Sequence, residues 1–395
     1  MFFDQITAGA PDPVFGWLSA YKNDSRLQKI NLIVGSYKND ALQSPVLPSV
    51  QKAQATVGIV ADYLPIDGLE EFYEQIGHLC FGSVLWNRAR ERIYAGQAVG
   101  GTGALRVGAE FLKQELGSHF ALPSPTWPTH HSLTMRVGGM VHVLPYYNHS
   151  LHGIDRAAYF QALEKLPAKT TVLFHACCHN PTGCDLPLAV WKEISDLCKA
   201  KQLFPFFDFA YQGFGDGIDE DAAAVRLFLE QEHEMLVAYS CSKNFSLYSE
   251  RVGALFIVSS NSQMKQNIGS QVRRIMRNLY SNPPAHGAKI ATAILTNKEL
   301  TCMWRADLAN MRSTIEHKRR NLAEALHRHS QKNDFRFILD HKGMFSYLDL
   351  TAEQVAKLIT EYGIYTLDSG RINIAGLNSD NFEYFIRAIT EVCEL

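Results

Sequence analysis

The 395-residue chain predicts an α/β fold built on a largely parallel sheet, and three stretches carry that expectation. In each, a short apolar run leads through a loop with Gly, Pro or Asn, or with small polar residues, toward a segment of helical period. TTVLFHACC (residues 170–178) runs through HNPTG into PLAVWKEISDLCKAKQ, and LFPFFDFAY (203–211) runs through QGFGDG into DEDAAAVRLFLEQ. EMLVAYS (234–240) leads into a loop that carries Lys243. Such alternation builds parallel strands joined by helical crossovers, with ligand groups gathered at the carboxyl ends of the strands. Toward the C-terminus the style shifts. RADLANMRSTIEHKRRNLAEALHRHSQK (305–332) reads as one amphipathic helix, followed by FRFILD, GMFSYLDL, EQVAKLITEYG, RINIAG and a last helix. That mixture predicts a smaller α+β unit. We expect a large domain over residues 43–308, with residues 1–42 and 309–395 forming an N-terminal arm and the small domain.

Hydrophobic residues make up 46% of the chain and charged residues 20%, which suits a substantial core and argues against disorder. The formal net charge of -2 leaves no electrostatic footprint for nucleic acid or an anionic membrane, so small molecules are the expected partners. No apolar run approaches a membrane span, and MFFDQITAGAPDPVFGW has neither the basic segment nor the apolar stretch of a secretory signal. A cytoplasmic protein is expected. Of the eight cysteines, Cys177 and Cys178 are adjacent and none forms a C-x-x-C pair, which favours reduced, buried thiols over disulfides. HACCH (175–179) with Cys184 beyond could suggest zinc, but neighbours on a strand face opposite ways and the spacing does not suit a structural site. No metal is expected.

Three elements carry chemistry. AVGGTGALRVGAEFLKQEL (98–116) sets glycines at 100, 101 and 103 before a helical pattern. Such a turn lets the backbone approach a ligand and aims free N–H groups at an anion, most often a phosphate. It matches neither the nucleotide P-loop nor the dinucleotide fingerprint. Asp208 interrupts an apolar run, and its burial requires a cationic or protonated partner. Lys243 lies just past a strand, flanked by Ser240 and Arg251. A lysine that acts as an amine nucleophile needs partial burial and cationic company, which Arg251 supplies. With the glycine turn, Ser240 and Arg251 also make a cup for a phosphate dianion. A phosphate cup, a buried carboxylate and an amine nucleophile together describe a pyridoxal phosphate site, where the carboxylate pairs with the pyridinium nitrogen.

With these residues in hand, the chain resembles the class I aminotransferases of fold type I, in the subgroup acting on aspartate and aromatic amino acids. The stretches that carry the resemblance run in family order. They pass from PDPVFG (11–16), NLIVGSYKND, YLPIDGL and GGTGALRVGAEFL through PTWPTH, CCHNPTG, FDFAYQGFG and SKNFSLYSERVG to YSNPPAHGA, GMFSYLDL and SGRINIAG (369–376). Essentially the whole chain is covered. The resemblance implies a large domain with a mostly parallel seven-stranded sheet and a homodimer with active sites shared between subunits. Lys243 would hold pyridoxal 5'-phosphate as a Schiff base and then shuttle the Cα proton. Asp208 would meet the ring nitrogen, Tyr211 and Asn180 would reach the ring hydroxyl oxygen, and Trp127 would stack on the ring. Gly101, Thr102, Ser240 and Arg251 would hold the phosphate, joined by Tyr63 from the other subunit. Arg371, supported by Asn180, would clamp the substrate α-carboxylate, and Arg277 from the other subunit would bind a distal carboxylate. Gly35 would line the entrance, the arm around residues 11–16 would wrap the other subunit, and His130 and His175 would stand behind the ring and orient Asp208.

Three positions depart from the family pattern. Gly100 stands where many relatives have serine, Thr129 where asparagine is usual, and Ser36 where an apolar residue is usual. The expected reaction moves an amino group between aspartate, with tyrosine or phenylalanine as further donors, and 2-oxoglutarate in two strokes with ping-pong kinetics. An aromatic amino-acid aminotransferase, or a lyase or decarboxylase on the same fold, is the alternative; a lyase need not keep Arg277. A non-catalytic binding protein would show loss of the lysine, which is present.

Overall fold

The computed structural model describes residues 2–394 apart from residues 10, 11, 13, 331 and 332. Seven strands form its central sheet: β1 (Ile93–Val99), β2 (His119–Ser124), β3 (Met140–Pro145), β4 (Thr171–His175), β5 (Phe204–Phe209), β6 (Met235–Ser240) and β7 (Val252–Val258). Their spatial order is β1-β7-β6-β5-β4-β2-β3. The apolar runs read from the sequence become its interior. β4, β6 and β7 are buried at every position, as strands covered on both faces must be.

Neighbouring strands pair in parallel, except that β7 runs antiparallel to both β6 and β1. The seven-stranded, mostly parallel sheet is as expected. β1 passes directly into helix α1 (Gly100–Glu115), whose buried face includes Ala104, Leu105, Gly108 and Leu112. Helix α2 (Ser262–Leu279) follows β7 and is N-capped by Asn261, whose side chain accepts from the Met264 amide.

Helix α3 (Lys298–His329) is longer than the sequence pattern suggested, because its apolar stripe already begins at Leu300 and Trp304. It runs unbroken across residue 309, packs against the helix Pro48–Gln54 at one stage and against Phe335–Asp340 and Phe382–Glu394 at another. One continuous helix therefore contacts both the N-terminal helix Pro48–Gln54 and the C-terminal segments. FRFILD is a 3-10 helix, Phe335–Asp340. Phe345–Tyr347 pairs antiparallel with Arg371–Asn373, and Ile30–Asn31 pairs parallel with Ile364–Tyr365, which ties the N-terminal segment to the C-terminal part of the chain. All eight cysteines are free; Cys302, exposed on α3, departs from the expectation of buried thiols. Among the described residues no helix is long and apolar enough to cross a membrane.

Candidate active site

Loops at the carboxyl ends of β1, β4, β5 and β6 converge with Gly35, Phe345 and Arg371 on a cavity of about 240 Å³. The reversal of β7 makes this convergence possible. In the register Val252 opposes Val99, and Gly253 opposes both Ala98 and Ser240. The start of an antiparallel strand lies beside the ends of its neighbours, so Arg251 arrives next to the glycine turn and Ser240. There the packing is close. A Cβ on Gly101 would stand 2.8 Å from the Ser240 Cβ, and one on Gly100 would stand 2.7 Å from Arg251 Nη2. Gly100 also has φ +69°, where a side chain is strained. The backbone conformation at position 100 thus favours glycine, and the Arg251 guanidinium packs directly against it.

The lysine loop, residues 241–251, is anchored from below. Trp304 Nε1 of α3 donates to the Asn244 carbonyl at 2.7 Å, its ring stacks on Phe245 at 4.6 Å, and Asn244 Nδ2 donates to the Tyr239 hydroxyl at 2.8 Å. Lys243 is partly open to the cavity, with Nζ 4.8 Å from the Tyr211 ring centroid. Burial pushes its amine down to about 8; Asp208 opposes that shift and Arg251 adds to it.

Asp208 ends a hydrogen-bonded relay. The Asn180 amide donates to His175 Nδ1 at 3.5 Å, so the His175 hydrogen sits on Nε2, in keeping with a ring that burial holds neutral at about 3. His175 Nε2 then donates to Thr126 Oγ1 at 2.9 Å, Thr126 donates to His130 Nδ1 at 2.8 Å, and His130 Nε2 donates to Asp208 Oδ2 at 3.0 Å. Every member has its partner. Burial works against an ionised Asp208, but the hydrogen bond from His130, with the charge of Lys243 nearby, outweighs it and holds the carboxyl below its usual range. His130 thus supports Asp208 directly, whereas His175 acts only through Thr126.

Arg371 is 2% exposed. Its Nη1 donates to Asn180 Oδ1 at 3.1 Å, Nη2 donates to the Ile33 carbonyl, and its guanidinium lies 4.2 Å from the Phe345 ring centroid. No carboxylate pairs with it among the described residues, and Nε is buried without a partner. Burial lowers its pKa to about 10, with Tyr211 opposing. An unneutralised guanidinium beside a nucleophilic amine is built to receive an anion from outside.

The sequence model of the family described as aminotransferase class I and II matches residues 28–389. The chain belongs to this family. It is 44% identical to an aspartate aminotransferase of Pseudomonas aeruginosa and 40% identical to an aromatic-amino-acid aminotransferase of the same organism, each over 99% of both chains. Among solved structures it superposes on an aromatic-amino-acid aminotransferase from Burkholderia pseudomallei, covalently bound to pyridoxal phosphate, with a TM-score of 0.95, 40% identity and 99% coverage of both chains. Cytoplasmic aspartate aminotransferase from Saccharomyces cerevisiae gives a TM-score of 0.95 at 33% identity, covering 99% of this chain and 98% of its own.

For a class I and II aminotransferase chain, the cavity collects most of the residues the sequence singled out. Gly35, Gly101, Thr102, Trp127, Asn180, Asp208, Tyr211, Ser240, Lys243, Arg251 and Arg371 all line it. Tyr63 and Arg277 do not line it. Tyr63 is 91% exposed, and Arg277, exposed at the end of α2, donates to Ser281 Oγ. Asp12, Val14 and Phe15 of the N-terminal arm line this chain's own cavity, while Pro11 and Pro13 lie outside the described residues. Thr129 also lines it; Ser36 instead borders an adjoining cleft of about 490 Å³ that shares Val34, Gly35 and Tyr248. Sequence reasoning missed Thr126, Tyr248 and Phe345, though all three sat inside quoted motifs.

The cysteine pair also behaves differently from its strand-based reading. Cys177 and Cys178 lie beyond the end of β4, Cys178 has φ +51°, and both thiols fall within 4.8 Å of an Asp221 oxygen. That carboxylate already accepts from the amides of Gly213, Gly215, Asp216 and Gly217, and burial raises both thiols, Cys178 to about 12. The trio is accounted for by the Asp221 amide nest and two protonated core thiols.

Proposed function

We propose that the chain is a pyridoxal-phosphate-dependent aminotransferase that moves the amino group of aspartate, and of tyrosine or phenylalanine, to 2-oxoglutarate. The observation that carries this reading is the pairing, across one 240 Å³ cavity, of a depressed lysine amine with a buried, unneutralised arginine. The cavity fits the cofactor. Gly100 and Gly101 leave a cradle that a Cβ would fill, Arg251 and Ser240 close it with donors suited to a phosphate, and ionised Asp208 suits a protonated ring nitrogen. Bound pyridoxal phosphate supplies an aldehyde that captures an amine and a ring that takes up the electron pair released at the substrate Cα.

The chain's own residues do the rest. Lys243 Nζ would hold the cofactor and would serve as the base that removes the substrate Cα proton and returns it. Asp208, held ionised by His130, keeps the ring nitrogen protonated. Gly101, Thr102, Ser240 and Arg251 would hold the phosphate, Trp127 would face the ring, and Tyr211 and Asn180 would serve the ring oxygen. Arg371 takes the substrate α-carboxylate in a two-pronged grip that Asn180 orients. Since the first oxo acid leaves before the second enters, the kinetics are ping-pong.

The active unit in this reading is a homodimer. The exposure of Tyr63 and Arg277 supports it, because neither can serve its own chain's cavity as it lies. Tyr63 from a second copy completes the phosphate cup, and Arg277 from that copy binds the distal carboxylate of aspartate or glutamate. The domain division at 43–308 is likewise a proposal, with α3 crossing its boundary. Eight free cysteines suit a cytoplasmic setting, where thiols stay reduced.

The test uses purified holoenzyme and one amino acid at a time, without oxo acid, following the bound cofactor's absorbance as it converts to its aminated form. Conversion by aspartate alone makes the enzyme specific for dicarboxylates, and conversion by tyrosine and phenylalanine as well makes it dual. No conversion by any of them overturns the reading and favours a lyase.

A further inference from the structure

Away from the cofactor lysine, one carboxylate joins two parts of the chain about 200 residues apart. β3 is followed by a short hairpin in which Tyr147–Asn148 pairs with Gly153–Ile154. Asn148 fixes its turn, Oδ1 accepting from the Ser150 and Leu151 amides at 2.9 and 3.3 Å. From this hairpin Tyr147 Oη donates to Asp349 Oδ2 at 2.7 Å, His149 Nδ1 donates to Oδ1 at 2.8 Å and His152 Nδ1 donates to Oδ2 at 2.5 Å. Ion pairs on an open surface contribute little, but the Asp349 side chain is only 7% exposed and both its oxygens are engaged. The backbone is unusual at both ends of the contact: His152 has φ +47° and Asp349 φ +53°, where a non-glycine residue is strained. Such strain persists only where the surroundings hold it in place.

What the contact holds is the strand beside the buried arginine. Asp349 follows Phe345–Tyr347, which pairs antiparallel with Arg371–Asn373 and sets Tyr347 opposite Arg371. Phe345 of that strand offers its ring face to the Arg371 guanidinium at 4.2 Å. The Tyr347 ring packs edge-on against Tyr147 at 5.2 Å, so strand and hairpin also meet through apolar surface. The Arg371 side-chain nitrogens have only Asn180 and the Ile33 carbonyl as partners among the described residues, and the guanidinium's direction therefore depends on the strand and ring beneath it as well. We propose that Asp349 is a positioning residue for carboxylate binding: with Tyr147, His149 and His152 it clasps the Phe345–Tyr347 strand to the hairpin and so fixes Arg371 for an incoming carboxylate. Neither Asp349 nor the two histidines line the cavity, so they act only through the strand. The proposal rests on the substrate-carboxylate role given above to Arg371.

The experiment is isothermal titration of succinate into holoenzyme, since a dicarboxylate without an amine binds but cannot react. Saturable binding is expected in the wild-type protein and is lost in Arg371→Leu. Asp349→Asn should weaken it roughly tenfold, the loss anticipated for one charge-assisted hydrogen bond, and raise KM for aspartate by a similar factor while kcat stays within about twofold. The double substitution His149→Ala with His152→Ala, at exposed positions, should reproduce that effect and keeps the test open if Asp349→Asn fails to fold. A clasp that served stability alone would lower the unfolding midpoint and leave succinate affinity and KM unchanged, which overturns the proposal. So does an absence of succinate binding, or binding that survives Arg371→Leu. If succinate follows the expected pattern while aspartate fails to aminate the cofactor, the aminotransferase reading falls and the clasp stands.

Discussion

Lys243 and Asp208 set each other's charge. Burial drives the lysine down to about 8, and the carboxylate is what stops it falling further. Capture of pyridoxal phosphate by the apoenzyme therefore has a predictable pH dependence. Below about 8 the amine is protonated, so the rate of appearance of the bound-cofactor absorbance rises about tenfold per pH unit and levels off above that value. Asp208→Asn removes the negative neighbour that favours the ammonium, so its midpoint moves to lower pH, while kcat falls roughly 10²- to 10⁴-fold. A midpoint that stays put or rises would contradict the coupling. Thr126 is a second case. Valine there leaves His130 Nδ1 and His175 Nε2 without their partners, and kcat is expected to fall roughly tenfold through the loosened Asp208. An unchanged kcat would mean the relay only fills space. Asp208 was legible in the sequence because it interrupts an apolar run, Lys243 because it closely follows one, and Arg251 because it flanks that lysine. Thr126 carried no signal, since its role comes from two histidines that only folding brings to either side of it.

Among the elements, α3 does most to hold the lysine loop. Trp304→Phe keeps an aromatic ring on Phe245 but loses the hydrogen bond to the Asn244 carbonyl. It is expected to destabilise the protein by about 1–3 kcal/mol. Thermal unfolding checks this: the midpoint should drop by several degrees, with the pH midpoint of cofactor capture moved if the loop shifts and unmoved if Lys243 stays in place. The periodicity of α3 was plain from residue 305 onward. Its earlier start was not, because Asn297 reads locally as a loop residue and becomes an N-cap only where its side chain accepts from the Leu300 amide. FRFILD is similarly ambiguous at short range, and the structure resolves it as a 3-10 turn.

For the whole molecule, the placement of Tyr63 and Arg277 outside the cavity leads to a quantitative expectation. Lys243→Ala and Arg277→Ala should each be close to inactive toward aspartate when pure. Mixed and allowed to exchange subunits, they should recover about a quarter of wild-type activity, since half the dimers are hybrids and each hybrid rebuilds one intact site of two. No recovery, with hybrid dimers present, would sink the shared-site arrangement. The sequence alone determined the alternation of strands and helices, the loops that carry the lysine, aspartate and glycine turn, and the class of cofactor they suit. Those follow from local spacing, which records which face of each element is buried. What only the tertiary structure decided is that β7 runs backwards between β6 and β1, bringing Arg251 against Gly100, and that Arg371 reaches the cavity unneutralised on Asn180 and Phe345. Strand direction and neighbour order depend on pairing between segments distant in the chain, and burial periodicity within one segment carries no record of its partner.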